Sequence, residues 1–504
     1  MHAVPRAGIF VSWLLAGAVS SFATTRYVNV SNAVAAAAPY TNWVTASTNI
    51  QKAIDAAASG DEILVAPGMY YLESGEVYIP PEKTLTLRST HRREAIINAL
   101  YLSRGMRIDG TNSLIEGFTV LSGKPETLGY GGGIMLVRTA TVRDCLVTGN
   151  WAAAGAGITV SSGATNSLVE DCTIAGNTAT NGPGGGVVLY ENSRGRLNRC
   201  RIRNNGADSG GGVFVTEGGS VSNCWITGNL AAQEHGGGVY MHASGTTNPA
   251  TLVNSVIFSN TATQYGGGVY CAGPPASFSP IVNCTIVSNQ AGVDGGGAHA
   301  YWTRFVNDII YFNAAPTNAN LKNGDLGCVI SNCCTTSNYF WPNITNAPAF
   351  VDAGAEDFRL ATASFCIDAG TTNGAPQADI EGNPRPRIGQ PVVLGAATTN
   401  CDMGAYEYGF HFNDIQEVSS NAVQLWWDVQ DVGRYRVDVA TNAAADPLHP
   451  TWNLVMGYTQ STVIGAGRYA VHAATVTNPT PPMPGRAIFR LSVDRATVGK
   501  RNGR

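Results

Sequence analysis

The sequence is poor in charge, in long apolar runs and in long helical stretches, and each shortage removes a class of protein. Only 13% of residues are charged and the formal net charge is -4, so there is neither a basic footprint for nucleic acid nor an acidic tail. Beyond residue 23 no stretch reaches the roughly 18 consecutive apolar residues that a membrane helix needs. The cysteines, eleven in number and therefore not all pairable, have no companion histidines, which argues against a metal centre built on them. The apolar runs are four or five residues long, alternate, and end at Gly or Asn, whereas a helical solenoid needs ten or more residues at a 3.6 period. With 44% hydrophobic residues the chain can still bury a large core.

What the sequence has in excess is glycine, at 59 residues. Triplets begin at Gly131, Gly184, Gly210, Gly236, Gly266 and Gly295, with a degenerate copy, Gly155, Ala156, Gly157. After each comes a second landmark: CLVTGN (145–150), CTIAGN (172–177), CRIRNN (200–205), CWITGN (224–229), SVIFSN (255–260), CTIVSN (284–289) and DIIYFN (308–313). The unit is a glycine triplet, a short strand, a variable loop, a second short strand and an asparagine turn. No unit can bury its own apolar side, so neighbours must stack, with matching positions in columns about 4.8 Å apart. The expected fold is all-β: a right-handed parallel β-helix with turns of 24 to 31 residues.

The columns carry physical meaning. Cys145, Cys172, Cys200, Cys224 and Cys284 are expected inside as small thiols, because stacked parallel side chains converge poorly for disulfides. Asn150, Asn177, Asn205, Asn229, Asn260, Asn289 and Asn313 are expected to form an asparagine ladder at a turn, since Asn tolerates left-handed backbone and its amide can bond one rung away. At the amino-terminal side, Thr48 to Gln51 reads as a capping box opening a helix over 48–58 that covers the first rung. Strand-like runs follow at 62–66, 84–88 and 114–121, and further rungs at 328–332 and 358–360, so the solenoid is taken over 24–408. Residues 1–23, with a basic start, an apolar run over 9–19 and Ser21, Phe22, Ala23, read as a signal peptide, which places the protein in the periplasm, at the cell surface or outside the cell. From residue 411 the triplets vanish and several alternating strands over 411–495 predict a small β-sandwich, with a frayed tail over 496–504.

The strings TNIQKAID (48–55) and GDEILVAPGMY (60–70) resemble the opening of pectin-lyase-like right-handed parallel β-helix proteins. DFRLATASFCIDAG (357–370), DIEGNPR (379–385) and CDMGAYE (401–407) resemble the terminal rungs of choice-of-anchor Q proteins. The triplets, with Phe258, Ser259 and Asn260, are similar to repeats of polymorphic outer-membrane proteins, and the carboxy-terminal strands to fibronectin type III-like or Ig-like modules. The resemblance implies an architecture and an export habit rather than a reaction.

Chemistry is expected on the outward side of the strand after each triplet. If Val213, Val239 and Val269 point inward, the outward column is Met135, Thr159, Val188, Phe214, Tyr240, Tyr270 and His299, with a second column of Tyr190, Thr216, His242 and Tyr301. An aromatic stripe on a flat face is a platform for sugar rings, although aromatics also favour pleated surfaces for their own sake. Before the triplets stand Asp208, Glu234 with His235, Gln264 with Tyr265, and Asp294. Carboxylates 5 to 10 Å apart divide acid and base roles or bind calcium. Glu234, His235, Asp294 and His299 are therefore the catalytic candidates, and Phe214, Tyr240, Tyr270, His242, Tyr301 and Arg304 the substrate-binding set. Asp208, Glu234 and Asp294 are the candidate calcium ligands. The expected protein is a monomer acting on or binding a polysaccharide, as a lyase or glycoside hydrolase. Its rival is a non-catalytic surface or adhesion protein, which the regular turn length favours, interrupted clearly only at 245–250 and 273–280.

Overall fold

The computed structural model describes residues 23–408, apart from 127–128, 244–247, 275–277, 324–326, 337–341, 362 and 387–399, and the backbone of six strands between 412 and 494. The expected export segment and the 496–504 tail lie outside the described residues. Each turn of the solenoid contributes one strand to each of three long parallel sheets. The first has twelve strands, from Thr25–Val28 to Val329–Ser331; the second eleven, from Gly68–Tyr71 to Cys334–Thr335; the third ten, from Val77–Ile79 to Leu321–Asn323. A fourth sheet of six two-residue strands runs from Trp151–Ala152 to Gln290–Ala291. One turn illustrates the circuit: Ile134–Leu136 in the third sheet, Ala140–Arg143 in the first, Leu146–Thr148 in the second and Trp151–Ala152 in the fourth.

Three corners of this circuit turn on one left-handed residue each. Between the first and second sheets it is Asp144, Asp171, Arg199, Asn223, Asn254, Asn283, Asn307 or Asn332. Between the second and fourth it is the residue before each ladder asparagine, for instance Gly149, Asn204, Gly228 or Ser259. The ladder asparagines are thus not the left-handed residues; their job is hydrogen bonding. From Asn150 to Asn320, each Nδ2 donates to the Oδ1 of the next rung at 2.9 to 3.1 Å. The same Oδ1 also accepts the backbone N–H of the preceding ladder residue. A second donation from Nδ2 reaches a main-chain carbonyl such as Ile202 O, 3.0 Å from Asn229. Every polar atom of a buried amide is used, which is what makes burial of an amide tolerable. The third corner is the triplet, whose first glycine is left-handed. A Cβ on its third glycine would lie 2.6 to 3.0 Å from the Nδ2 of the ladder asparagine of that turn.

The cysteine column is buried and unpaired as expected. It continues through Ser255, Asp308 and Cys333, and these side chains accept the backbone N–H of the rung before: Cys145 N to Cys172 Sγ (3.4 Å), Cys224 N to Ser255 Oγ (3.1 Å), Cys284 N to Asp308 Oδ1 (2.7 Å). The column therefore selects small side chains that can accept, and burial pushes the Asp308 carboxyl well above the usual carboxylate range.

Two expectations change at the ends. The helix is Ile50–Ala56, and Asn49 rather than Thr48 caps it, accepting from Lys52 N at 3.0 Å. Gln51 bonds instead to the main chain of Tyr78. Residues 358–360 do not form a rung: Asp357–Leu360 pairs antiparallel with Phe350–Asp352, and the last parallel strands are Val329–Ser331 and Cys334–Thr335. The following chain runs back along the corner between the first and second sheets. There Asn254, Asn283, Asn307 and Asn332 donate to the carbonyls of Ala378, Asp402, Thr371 and Ala369, and Phe358, Met403 and Tyr406 pack with Phe258, Val287 and Ile309. Beyond it, Phe412–Ser419, Ala422–Asp428 and Val471–Thr477 form one antiparallel sheet, and Trp452–Tyr458, Arg434–Ala440 and Ile488–Asp494 another. How they pack, and where Trp426 and Trp427 point, lies outside the described residues.

Asn229→Ala removes an acceptor and strands the Asn205 N–H in the dry interior, so it should destabilise the protein by about 2 to 4 kcal/mol. Asn204→Gly, one residue from the ladder with φ 55°, should change stability by less than about 1 kcal/mol. Chemical denaturation of the two variants measures both.

Candidate functional site

The third sheet puts the expected outward column in strict register: Met135, Thr159, Val188, Phe214, Tyr240, Tyr270 and His299 are successive partners, and Lys322 follows. In-register parallel strands hold identical positions one strand spacing apart, and the rings follow: Phe214 to Tyr240 at 5.0 Å, Tyr240 to Tyr270 at 4.9 Å with planes 15° apart, Tyr270 to His299 at 5.5 Å. Tyr240 and Tyr270 thus stack on one another along the solenoid axis, with Phe214 and His299 tilted against them, so part of the ring faces that a sugar was expected to meet is covered by the neighbouring ring. Thr159, Val188 and His299 are buried. In the second column Ala272 stands between His242 and Tyr301, because His242 pairs with Ala272. Tyr130 and Tyr190 extend the aromatic surface, edge to face at 5.6 Å.

The residues before the triplets fall into two columns rather than one. Asp294 pairs with Tyr265 and Thr317, and the backbone bonds place His235 in that same column. Asp208, Glu234 and Gln264 sit one position earlier, with Glu234 N donating to Asp208 O at 2.9 Å and Gln264 N to Glu234 O at 3.0 Å. The proposed calcium set of Asp208, Glu234 and Asp294 is therefore split between columns and rungs. Among the described residues no group of three or more His, Cys, Asp or Glu stands close enough to hold a metal ion. Arg304 lies on Thr303–Val306 of the first sheet, not on the aromatic face.

What the structure does assemble is a cluster around His299. Gly295, at φ +64°, reverses the chain so tightly that a Cβ there would sit 2.7 Å from the His299 Cβ, and this brings Asp294 and His299 together. His299 Nδ1 is buried without a hydrogen bond and lies 4.0 Å from Asp294 Oδ2, too far for a hydrogen bond. Its Nε2 is 3.1 Å from the Tyr301 hydroxyl. Tyr265 and Tyr270 pack on the ring at 4.9 and 5.5 Å, and His235 stacks on Tyr270 at 4.4 Å. Asn318 Nδ2 holds Asp294 Oδ1 at 2.8 Å. Burial drives the His299 pKa down to about 4, only partly opposed by Asp294, and lowers His235 as well. Both imidazoles are neutral at pH 7. A proton on His299 Nδ1, facing Asp294, leaves Nε2 to accept from the Tyr301 hydroxyl. The phenol is hydrogen-bonded to the imidazole, while the carboxylate acts on the ring only through charge at 4.0 Å, and an imidazole with its pKa lowered to about 4 is a weak proton acceptor. Tyr301 itself is 36% exposed, so the cluster reaches the surface at that residue. On the shoulder, burial and then the neighbouring Glu234 raise the pKa of Asp208.

The sequence held the members of this cluster but not its partners. Tyr265 appeared only as a companion to Gln264, and Asn318 and Lys322 follow the last triplet, where the repeat pattern no longer marks register.

The fold defines a class: an all-β, right-handed parallel β-helix of about ten turns, and a family model for the right handed beta helix region matches residues 104–338. No curated protein matches the chain. Among solved structures, pectate lyase Pel9A is similar over 77% of this chain and 97% of its own, at 15% identity and a TM-score of 0.51. XylC in complex with xylose matches over 76% and 98% at 8% identity (TM-score 0.47), and the PL6 family alginate lyase AlyGC over 60% and 53% at 13% identity (TM-score 0.29). At 15% identity the likeness to Pel9A shows the fold alone.

Between about pH 6.5 and 4 the unfolded chain protonates at position 299 while the folded chain does not, so His299 withdraws stability as pH falls through that window. The loss should approach about 3 kcal/mol at its lower end. His299→Gln should flatten that part of the stability profile relative to the parent, as measured by denaturation at stepped pH.

Proposed function

We propose that this is an exported, carbohydrate-active β-helix that binds a polysaccharide along the face from Tyr130 and Tyr190 to Tyr301, cleaving it by hydrolysis or elimination. The observation that carries the reading is the in-register file Phe214, Tyr240, Tyr270 and His299, at 4.9 to 5.5 Å intervals on an outer sheet face. A pyranose repeat in an extended glycan is about as long as one rung spacing, so successive sugars can meet successive phenol edges and hydroxyls. Beside that file stands the cluster of Tyr301, His299 and Asp294, with Glu234 two rungs from Asp294, roughly 10 Å by strand spacing. The likeness to a pectate lyase supports the reading as analogy of fold. Export is supported by the pattern of residues 1–23, and the terminal strings over 357–407 support kinship with choice-of-anchor Q proteins.

A second reading, a non-catalytic display surface, is favoured by one observation: the ring faces are spent on one another, which stiffens a spacer as well as it serves a ligand.

Incubating the protein with polyuronates and neutral glycans, with and without calcium, and reading unsaturated ends and reducing sugar decides between them. Turnover should fall at least a hundredfold in Asp294→Asn and in Tyr301→Phe, and glycan affinity at least tenfold in the Tyr240→Ala, Tyr270→Ala double variant. Binding without turnover removes the enzyme, and no binding to any glycan leaves the display surface.

A further inference from the structure

The glycan face is bordered by acids. Over the rungs from Phe214 to Tyr301, the described charged side chains in the columns that form it are Asp208, Glu234 and Asp294, with Lys322 at the next rung as the counter-charge, while Arg107 at the far end of the file is paired with Asp109. Asp208 and Glu234 stand on adjacent rungs, their backbones bonded at 2.9 Å, and neither makes an ion pair among the described residues. The rings between them are uncharged at neutral pH: burial lowers the two imidazoles and raises the phenols of Tyr240 and Tyr270. Several guanidinium groups elsewhere are occupied. Arg88, Arg143 and Arg199 pair with Glu116, Glu170 and Asp171 on the first sheet and its corner.

We infer that the ligand of this face is a neutral polysaccharide rather than a polyuronate. The inference rests on the glycan-face reading above and narrows it. A polyuronate places one carboxylate on every sugar, so a chain lying along the rungs sets like charge against Asp208, Glu234 and Asp294 in turn, a repulsion that is greatest at low salt, where such charges are least screened. A neutral chain meets the same carboxylates with hydroxyl donors, which form strong charge-assisted hydrogen bonds.

The test is affinity electrophoresis of the full chain against xylan, mannan, mixed-linkage β-glucan and pullulan on one side, and polygalacturonate and alginate on the other, at 50 and 500 mM NaCl. At least one neutral glycan should bind ten times or more tighter than either polyuronate, with little change between the two salts. The double variant Asp208→Asn, Glu234→Gln should narrow that ratio by roughly tenfold. Equal or tighter polyuronate binding, or a ratio that the double variant leaves unchanged, overturns the neutral-glycan inference while leaving the glycan face standing. No binding to any of the six overturns the glycan face itself.

Discussion

The contact on which this solenoid depends is the one between the third glycine of each triplet and the ladder asparagine across the narrow interior. From Gly133 against Asn150 to Gly297 against Asn313, a single methyl group would drive into the amide nitrogen. The amide cannot retreat, because its nitrogen and oxygen are committed to the rungs on either side. The two landmarks of the sequence are therefore one structural device. The asparagine supplies the hydrogen bonds that a turn in a dry interior otherwise lacks, and the glycine supplies the space. Each rung then inherits its position from the next, as the nearest-neighbour logic of solenoids requires.

That constraint also decides where a functional face is able to form. Three of the four corners are fixed, two by a single left-handed residue and one by the triplet. The passage from the third sheet to the first varies most in length. It is short after Met135 and Leu136 and lengthens after Val239–His242 and Val269–Ala272, where residues 243–250 and 273–278 intervene. The variable loops thus border the third sheet beside Tyr240, Tyr270 and Tyr301, and the tight triplet corner borders it on the other side, holding Asp294 against His299. A rigid edge that sets geometry and a variable edge that sets shape are what a binding face on a repeat protein needs.

How much of this was legible in the sequence follows from the same physics. Column membership could be read wherever a triplet fixed the register, so the file from Phe214 to His299 and the ladder from Asn150 to Asn313 were accessible. Two features were not. Asp294 looked equivalent to Asp208 and Glu234, but counting back from its triplet puts it one position nearer, beside His235 in column, and that single-residue difference moves a side chain to another side of the strand. The mutual stacking of the rings was also hidden. Alternation tells which face a side chain is on, whereas the tilt of a ring depends on its neighbours at 4.9 Å.

The end of the solenoid shows the converse, a composition change explained only by three-dimensional packing. In the corner between the first and second sheets the left-handed residue is charged in the early rungs, Asp144, Asp171 and Arg199, and asparagine from Asn223 onward. Left-handed backbone alone does not demand this, since Asp and Arg adopt it a few rungs earlier. The difference is what lies outside. The early corner faces solvent and takes part in ion pairs, as between Arg199 and Asp171. At Asn254, Asn283 and Asn307 the corner is buried by the returning chain, whose own carbonyls need donors. An amide is the one short side chain that tolerates the left-handed turn, carries no charge and donates outward while accepting from its neighbour. The strings around Asp379 and Asp402 are the other half of that joint. Asp379 takes the backbone N–H groups of Glu381, Asn383 and Glu407. Asp402 takes those of Asp368 and Tyr408, and Arg385 is buried between Glu407 and Asn254. These residues close the solenoid's flank, and the carboxylates of Asp379 and Asp402 are spent on backbone.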